Sequence, residues 1–215
     1  MSQITVRQIV NPTKEELDKV ARTLAAAFDT DQFTLSCVGG DKSQIFAFER
    51  ATAAAAAAIA GKIWVASYGD TDYASVALWF VPGRDLLDTP DQGEAGFNDL
   101  FESFSPELAK WWMEYFLPKY NVDTTKALGE GVKVAAWNLQ LIGTVPKYQC
   151  KGLASALVKA VSSRAKAEGE MVTVETEEQW NVPIYESWEF AQKLGPEPYD
   201  SLTGGFDMWV LAIEN

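Results

Sequence analysis

The spacing of apolar and polar positions changes period several times along the chain, and each change predicts an element. Ile4–Ile9 alternates as a strand, and Asn11-Pro12 breaks it. Thr13 followed three residues later by Glu16 is a capping-box pattern, and Leu17, Val20, Ala21, Leu24 and Phe28 then fall on one helical face. Residues 29–44 are rich in turn formers and read as a loop able to move over a site. The alanine-rich run 45–60 predicts a helix packed closely against a sheet, ended by Gly61. Strands are expected over 63–67 and 73–81, forming a hairpin around Gly69-Asp70, with Pro82-Gly83 as the stop. A polar loop (84–94) leads into two short helices dense in aromatics (97–120), and 121–131 is a linker.

The centre of the chain carries the sharpest signal. Ala135, Trp137, Leu139 and Leu141 alternate with Lys133, Asn138 and Gln140 as in a half-buried strand, which Pro146 ends. From Leu153 the period becomes helical, through Ala156, Leu157, Ala160, Val161 and Ala165. Between these lies Gln149-Cys150-Lys151-Gly152-Leu153-Ala154, where small residues let a ligand approach the first, unpaired N–H groups of the helix. A strand over 171–176 follows. Asn181 is suited to cap a short helix that has Pro183 in its first turn and carries Tyr185. Strands over 189–193 and 206–213 close the chain around a loop at 195–205, and there are no internal repeats.

Charge sharpens the picture of that central turn. The 215 residues hold 18 Lys and Arg against 30 Asp and Glu, net −12. Yet no acid occurs between Glu130 and Glu168, while Lys133, Lys147, Lys151, Lys159, Arg164 and Lys166 do, so everything outside this window carries −18. A helix N-terminus alone contributes roughly 0.3–1 kcal/mol toward an anion. A basic island in an acidic chain suits a polyphosphate ligand; it is too small for a nucleic-acid track. The acidic remainder should draw a cation.

Composition excludes several chemistries. The chain contains no histidine, which removes His-based general base catalysis, Ser-His-Asp and Cys-His hydrolysis, and most zinc sites. Two cysteines, Cys37 and Cys150, form no disulfide framework, and the start MSQITVRQI has no apolar signal region, so a reducing cytoplasm is expected. The most apolar run, 51–60, is ten residues and too short to span a membrane. A 47% apolar fraction in 215 residues predicts one domain.

The stretch from Leu141 to Ala154 resembles the acetyl-CoA-binding motif of the GNAT superfamily of N-acetyltransferases. VETEEQWNVPIYESWEF (174–190) is similar to the strand, loop and helix that follow it there, with its Asn and Tyr. ARTLAAAF (21–28), GKIWVAS (61–67) and ASVALWFVPG (74–83) resemble the branch containing puromycin N-acetyltransferase. The resemblance implies a single α/β domain with a mixed, mostly antiparallel sheet, a splayed central strand and helices on both faces, plus a helical insertion at about 93–120. It implies acetyl-CoA bound by Leu141, Ile142, Gly143, Thr144, Gln149, Cys150, Lys151, Gly152, Leu153, Ala154, Ser155 and Asn181. It makes Asp31, Gln32 and Phe33 candidate substrate contacts. Two departures stand out: Cys150 and Ala154 occupy family glycine positions, and Ser187-Trp188-Glu189-Phe190 replaces a Leu-Gly-Phe ending, with Glu189 in place of the glycine.

The reaction needs oxyanion donors, a neutral amine and a proton for the leaving thiolate. Backbone N–H groups of Ile142 to Thr144 are expected to supply the first, freed by a bulge that Gly143 permits. A phenol of pKa near ~10 can protonate a thiolate of about 8.5, and in a chain without histidine Tyr185 is the candidate acid. Glu175 or Asp31, through water, is the candidate base, with Glu130 behind them. Trp111 and Trp112 are adjacent, so both are not expected in one core; one of them, or Tyr115, should line an apolar substrate pocket. The expected activity is acetyl transfer to a small cationic primary amine by a monomer or homodimer. The alternatives are acetylation of a protein lysine or N-terminus, and a non-catalytic acyl-CoA-binding module.

Overall fold

The structure, a computed structural model, describes residues 3–214 and, within them, every side chain but those of Ile59 and Ala60. In chain order it runs β1 (Ile4–Ile9), α1 (Lys14–Ala27), α2 (Gln32–Cys37), α3 (Ile45–Ala55), β2 (Gly61–Tyr68) and β3 (Thr71–Phe80). A helical segment follows: α4 (Pro90–Gln92), α5 (Asn98–Glu102), α6 (Pro106–Lys110) and α7 (Leu117–Leu128), then α8 (Val132–Ala135). The second half is β4 (Trp137–Thr144), α9 (Leu153–Glu168), β5 (Val172–Thr176), α10 (Val182–Glu186), β6 (Ala191–Tyr199) and β7 (Phe206–Ile213). Seven strands form one sheet in the order β1-β2-β3-β4-β5-β7-β6, antiparallel except for β4 against β5.

Strand alternation sends residues to opposite faces, and both faces are covered. Trp79, Leu139, Val174 and Leu211 pack under α9 with Leu153, Leu157 and Val161. Ile63, Val65, Val76 and Leu78 pack under α1 and α3 with Leu17, Val20 and Leu24. The capping box is present: Glu16 N–H donates to Thr13 Oγ1 at 3.2 Å, and Thr13 N–H to Glu16 Oε2 at 2.8 Å.

Several expectations are corrected. The segment 29–44 holds α2, because Asp31 caps it, its Oδ1 accepting from Thr34 N–H at 2.7 Å. The central strand begins at Trp137, since the left-handed Gly131 turns residues 132–135 into α8, closed by Ala135 N–H on the Gly131 carbonyl at 3.1 Å. The expected loop at 195–205 starts later: β6 runs to Tyr199, and as an edge strand it tolerates Pro196 and Pro198. Asn181 forms no capping bond; its Nδ2 donates to Thr176 Oγ1 at 3.1 Å. Trp111 and Trp112 are both buried in one cluster, edge to face at 5.6 Å. A π-helical turn over Trp111–Phe116 carries them, and each indole N–H finds a backbone carbonyl, Asp200 at 2.7 Å and Cys37 at 2.9 Å.

Candidate active site

The site begins where the sheet divides. β4 and β5 pair over three positions, from Trp137↔Val172 to Leu139↔Val174. Beyond them β4 stays with β3 as far as Ser75↔Thr144, while β5 continues with β7 at Glu175↔Val210 and Thr176↔Trp209. The edge of β4 facing β5 therefore has no strand partner from Gln140 onward. The expected bulge exists but sits elsewhere: Trp79 opposes Leu139 and Leu78 opposes Leu141, leaving Gln140 as the extra residue. A bulge bends its strand and adds twist, which is what a fork requires. Gly143 pairs regularly with Val76. Its glycine answers a different need, because a Cβ there would lie 2.9 Å from the Ala27 Cβ and 3.1 Å from Leu24 Cδ2. Gly143→Ala should lift α1 off the strand and lower stability by about 1–3 kcal/mol in urea unfolding; an unchanged midpoint would show that the helix gives way freely.

At the end of β4, the turn expected to hold phosphate is built from two left-handed residues, Cys150 (φ 58) and Gly152 (φ 84). The first backbone bond of α9 is Ala156 N–H to the Gly152 carbonyl at 3.0 Å, so the amides of residues 150–155 find no backbone acceptor among the described residues. Gln149 Nε2 donates to the Thr144 carbonyl at 3.4 Å, and Thr144 Oγ1 shares a hydrogen with Ser75 Oγ at 2.8 Å. Lys147 and Lys151 are exposed beside the turn, Leu153 is buried under α9, and Ala154 and Ser155 are half-buried. Cys150 adopts here the backbone conformation that glycine holds without strain, at a cost of about 1–2 kcal/mol. Glu189, the other departure from the family pattern, is also left-handed at φ 73.

The fork opens into a cavity of about 330 Å³. Leu141 and Ile142 of β4 form one side, and Phe33, Phe48, Trp112 and Phe116 form an aromatic wall. Asp31, Asp85, Glu175, Glu177 and Glu178 line it together with Lys133, Tyr120, Tyr185 and Asn181. Of the expected residues, Asp31, Phe33, Trp112, Leu141, Ile142, Glu175, Asn181 and Tyr185 thus meet in one place. Gln32, Trp111 and Tyr115 stand behind the wall. Gln32 Nε2 donates to the Thr203 carbonyl and Oγ1, both at 3.1 Å, and Tyr115 Oη accepts from Asp200 N–H at 2.8 Å. Glu130 is exposed and lies away from the cavity. Tyr120, Asp85, Lys133 and Glu177 were missed. Glu177 could have been noticed in the acidic run Glu175-Thr176-Glu177-Glu178, but nothing local marks the other three.

Burial controls the electrostatics. Glu175 Oε2 accepts from Asn138 Nδ2 at 3.2 Å, while Oε1 is buried without a partner. Desolvation holds this carboxyl above its usual range, against the opposing pull of Lys133, the Asn138 bond and the Tyr120 hydroxyl. Glu177 is pushed well up by burial and then by the charges of Asp31 and Glu175, and Asp31 and Glu178 are raised chiefly by burial. Tyr185 packs edge-on against Trp188 and Phe190, both at 5.5 Å, and its hydroxyl takes no hydrogen-bond partner within the described chain. Burial, then Glu177 and Glu175, raise its phenol, so it keeps its proton at neutral pH. Of the five wall carboxylates only Asp85 has an ion pair among the described residues, with Lys133 Nζ at 2.5 Å.

No protein-family model matches the chain. A stretch of 119 residues, 55% of the chain, is 29% identical to an uncharacterised N-acetyltransferase of Schizosaccharomyces pombe, and the chain spans about half (48%) of that protein's length. Among solved structures, the histone acetyltransferase HPA2 and related acetyltransferase of Corynebacterium glutamicum superposes with a TM-score of 0.65 at 20% identity, covering 100% of this chain and 98% of that one. The Drosophila melanogaster polyamine N-acetyltransferase, which forms N-acetylagmatine, gives 0.65 at 12% identity over 99% and 100% of the two chains. Arylalkylamine N-acetyltransferase 2 of Aedes aegypti gives 0.65 at 14% identity over 99% of each. The chain shares the fold of these acetyltransferases. No helix among the described residues is long and apolar enough to cross a membrane.

Proposed function

We propose that the chain is an acetyl-CoA-dependent N-acetyltransferase acting on a small cationic primary amine. One observation carries the reading: the unpartnered edge of β4, a phenol that keeps its proton and a buried carboxyl with a free oxygen all border one cavity.

The residues present fit the coenzyme. The left-handed turn at 150–152 leaves a row of amides without acceptors beside Lys147 and Lys151, which suits a diphosphate. The free edge of β4 at Leu141, Ile142, Gly143 and Thr144 offers backbone groups to an extended amide-bearing arm, as a strand would. Bound there, acetyl-CoA supplies an activated acetyl thioester. The chain does the rest. In this reading backbone N–H groups of β4 meet the oxyanion, Tyr185 gives a proton to the departing thiolate, and Glu175, directly or through water, takes one from the amine. Its raised carboxyl narrows the gap to an amine of pKa near ~10.4, which an ordinary carboxylate leaves wide.

The acceptor side supports an amine. Asp31, Glu175, Glu177 and Glu178 have no ion pair among the described residues and line a cavity with an aromatic wall, a setting that favours a cation with an apolar body. The amine acetyltransferases among the fold neighbours support the same substrate class. A cavity of about 330 Å³ suits a small molecule, and a buried, unpaired carboxyl is not what a passive acyl-CoA carrier needs.

The test is release of CoA across a panel of primary amines, with Tyr185→Phe as control. Turnover in the variant should fall about tenfold or more while acetyl-CoA still raises its melting temperature, because the ring is kept and only the acid is lost. Unaltered turnover would remove Tyr185 from the reaction, and no CoA release from any amine would remove the activity.

A further inference from the structure

We propose that Asn138 is a positioning residue of the reaction, a clamp across the fork that fixes which oxygen of Glu175 faces the reactants. The inference rests on the reading of Glu175 as the proton acceptor. Asn138 lies on β4, 1% exposed, and pairs with Thr173 one step before the last parallel pair. Its Nδ2 donates to two atoms on the other arm, Thr173 Oγ1 at 3.1 Å and Glu175 Oε2 at 3.2 Å. Thr173 Oγ1 in turn donates to the Trp137 carbonyl at 3.4 Å. With that hydroxyl proton committed, Thr173 can only accept from Asn138, and an ionised carboxylate can only accept as well. The amide is therefore held with its NH₂ toward both.

The position explains the need. Glu175 is the first residue of β5 beyond Leu139↔Val174, where the backbone ladder to β4 has ended. Nothing in the ladder ties its side chain to the strand that would carry the thioester. Asn138 restores that tie through a side chain, engaging Oε2, while Oε1 is buried without a hydrogen-bond partner among the described residues. Lys133 and Asp85, Tyr120 from α7, Glu177 from the same segment and Tyr185 from α10 also face the carboxyl. Among these groups the Asn138 bond is the one that crosses from the opposite arm of the fork. An apolar residue would pack at this buried strand position without leaving polar atoms to satisfy, so an amide here calls for a reason of this kind.

The experiment measures amine acetylation against pH at saturating acetyl-CoA. It uses Asn138→Ala and Thr173→Val, each alone and in a Glu175→Gln background, with acetyl-CoA affinity measured alongside. Asn138→Ala should lower kcat roughly 10- to 100-fold, as expected when a reacting group is misplaced by about an ångström. The acid limb of the profile should move to higher pH, because the lost donor favoured the charged carboxylate, and acetyl-CoA affinity should stay as it was. Thr173→Val, which frees the amide to rotate, should move both in the same direction by less. Neither change should add to Glu175→Gln, since both act through that side chain. Full kcat with an unmoved acid limb in Asn138→Ala overturns the clamp, as does an equal loss in the Glu175→Gln background. Wild-type turnover in Glu175→Gln alone sinks the acceptor reading and the clamp together, whereas an impaired Glu175→Gln beside an unimpaired Asn138→Ala sinks the clamp only. If Asn138→Ala does not fold, Thr173→Val decides on the same readouts.

Discussion

Glu175→Gln is expected to lower kcat/KM for the amine by about 100-fold, roughly 2.7 kcal/mol of transition-state stabilisation, and to abolish the acid limb of the pH profile. The size follows from general base catalysis, and the pH signature follows from burial. Desolvation raises the carboxyl above its ordinary range, so in the wild type activity should climb as pH rises through that elevated value and then level off. Glutamine keeps the side-chain shape and can still meet Asn138, but it has no proton to exchange. Melting temperature and acetyl-CoA affinity should hold or improve, because a buried carboxyl with an unpartnered oxygen is replaced by a neutral group. A variant that keeps the acid limb would assign it to another of the raised carboxyls, Asp31, Glu177 or Glu178.

A second large effect belongs to a residue outside the reaction. Glu49 on α3 is 0% exposed, and neither carboxyl oxygen has a hydrogen-bond partner. Burial, with the charge of Asp31 added, pushes its pKa up to about 8 from an ordinary value of 4.5. Between those values the unfolded chain loses a proton that the folded chain keeps. Stability therefore falls as pH rises through this window, at up to about 1.4 kcal/mol per pH unit, and the loss is complete above the folded value. Glu49→Gln removes that contribution. Urea unfolding at pH 5 and pH 8 should show the variant gaining on the wild type by about 3 kcal/mol across the interval. Parallel stability–pH curves for the two proteins would mean that Glu49 is not the group that titrates.

Much of the fold was legible because the elements that carry it are long and strongly periodic. The helix over 153–168, the capping box at Thr13 and the hairpin strands announce themselves by period and punctuation. The helix start at Leu153 was legible for a local reason as well, since Gly152 stands between the end of a strand and the onset of a helical period. What escaped was tertiary. Gly143 looked like a bulge residue, yet its reason is an approaching helix more than a hundred residues away in sequence. Gln32, Trp111 and Tyr115 have the chemistry of pocket residues, but their partners Asp200 and Thr203 come from the distant β6–β7 connection and draw them behind the wall. Tyr120, Asp85 and Lys133 gain their meaning only from Glu175, with which no spacing rule connects them.

The division of the sheet has a mechanical corollary. The side of the cavity proposed to carry the thioester is attached to β4 and, through it, to the half-sheet β1-β2-β3. Part of the amine side hangs from the other half, because α2 is laced to the β6–β7 connection by Gln32, Ser36, Ser201 and Thr203. The two blades share a short seam at the root of the fork, as in a pair of shears joined near one end. A small rotation about that seam would become a larger change in separation at the tips, so on the proposed reading the alignment of the two reactants would be set at the rivet, where Asn138 sits.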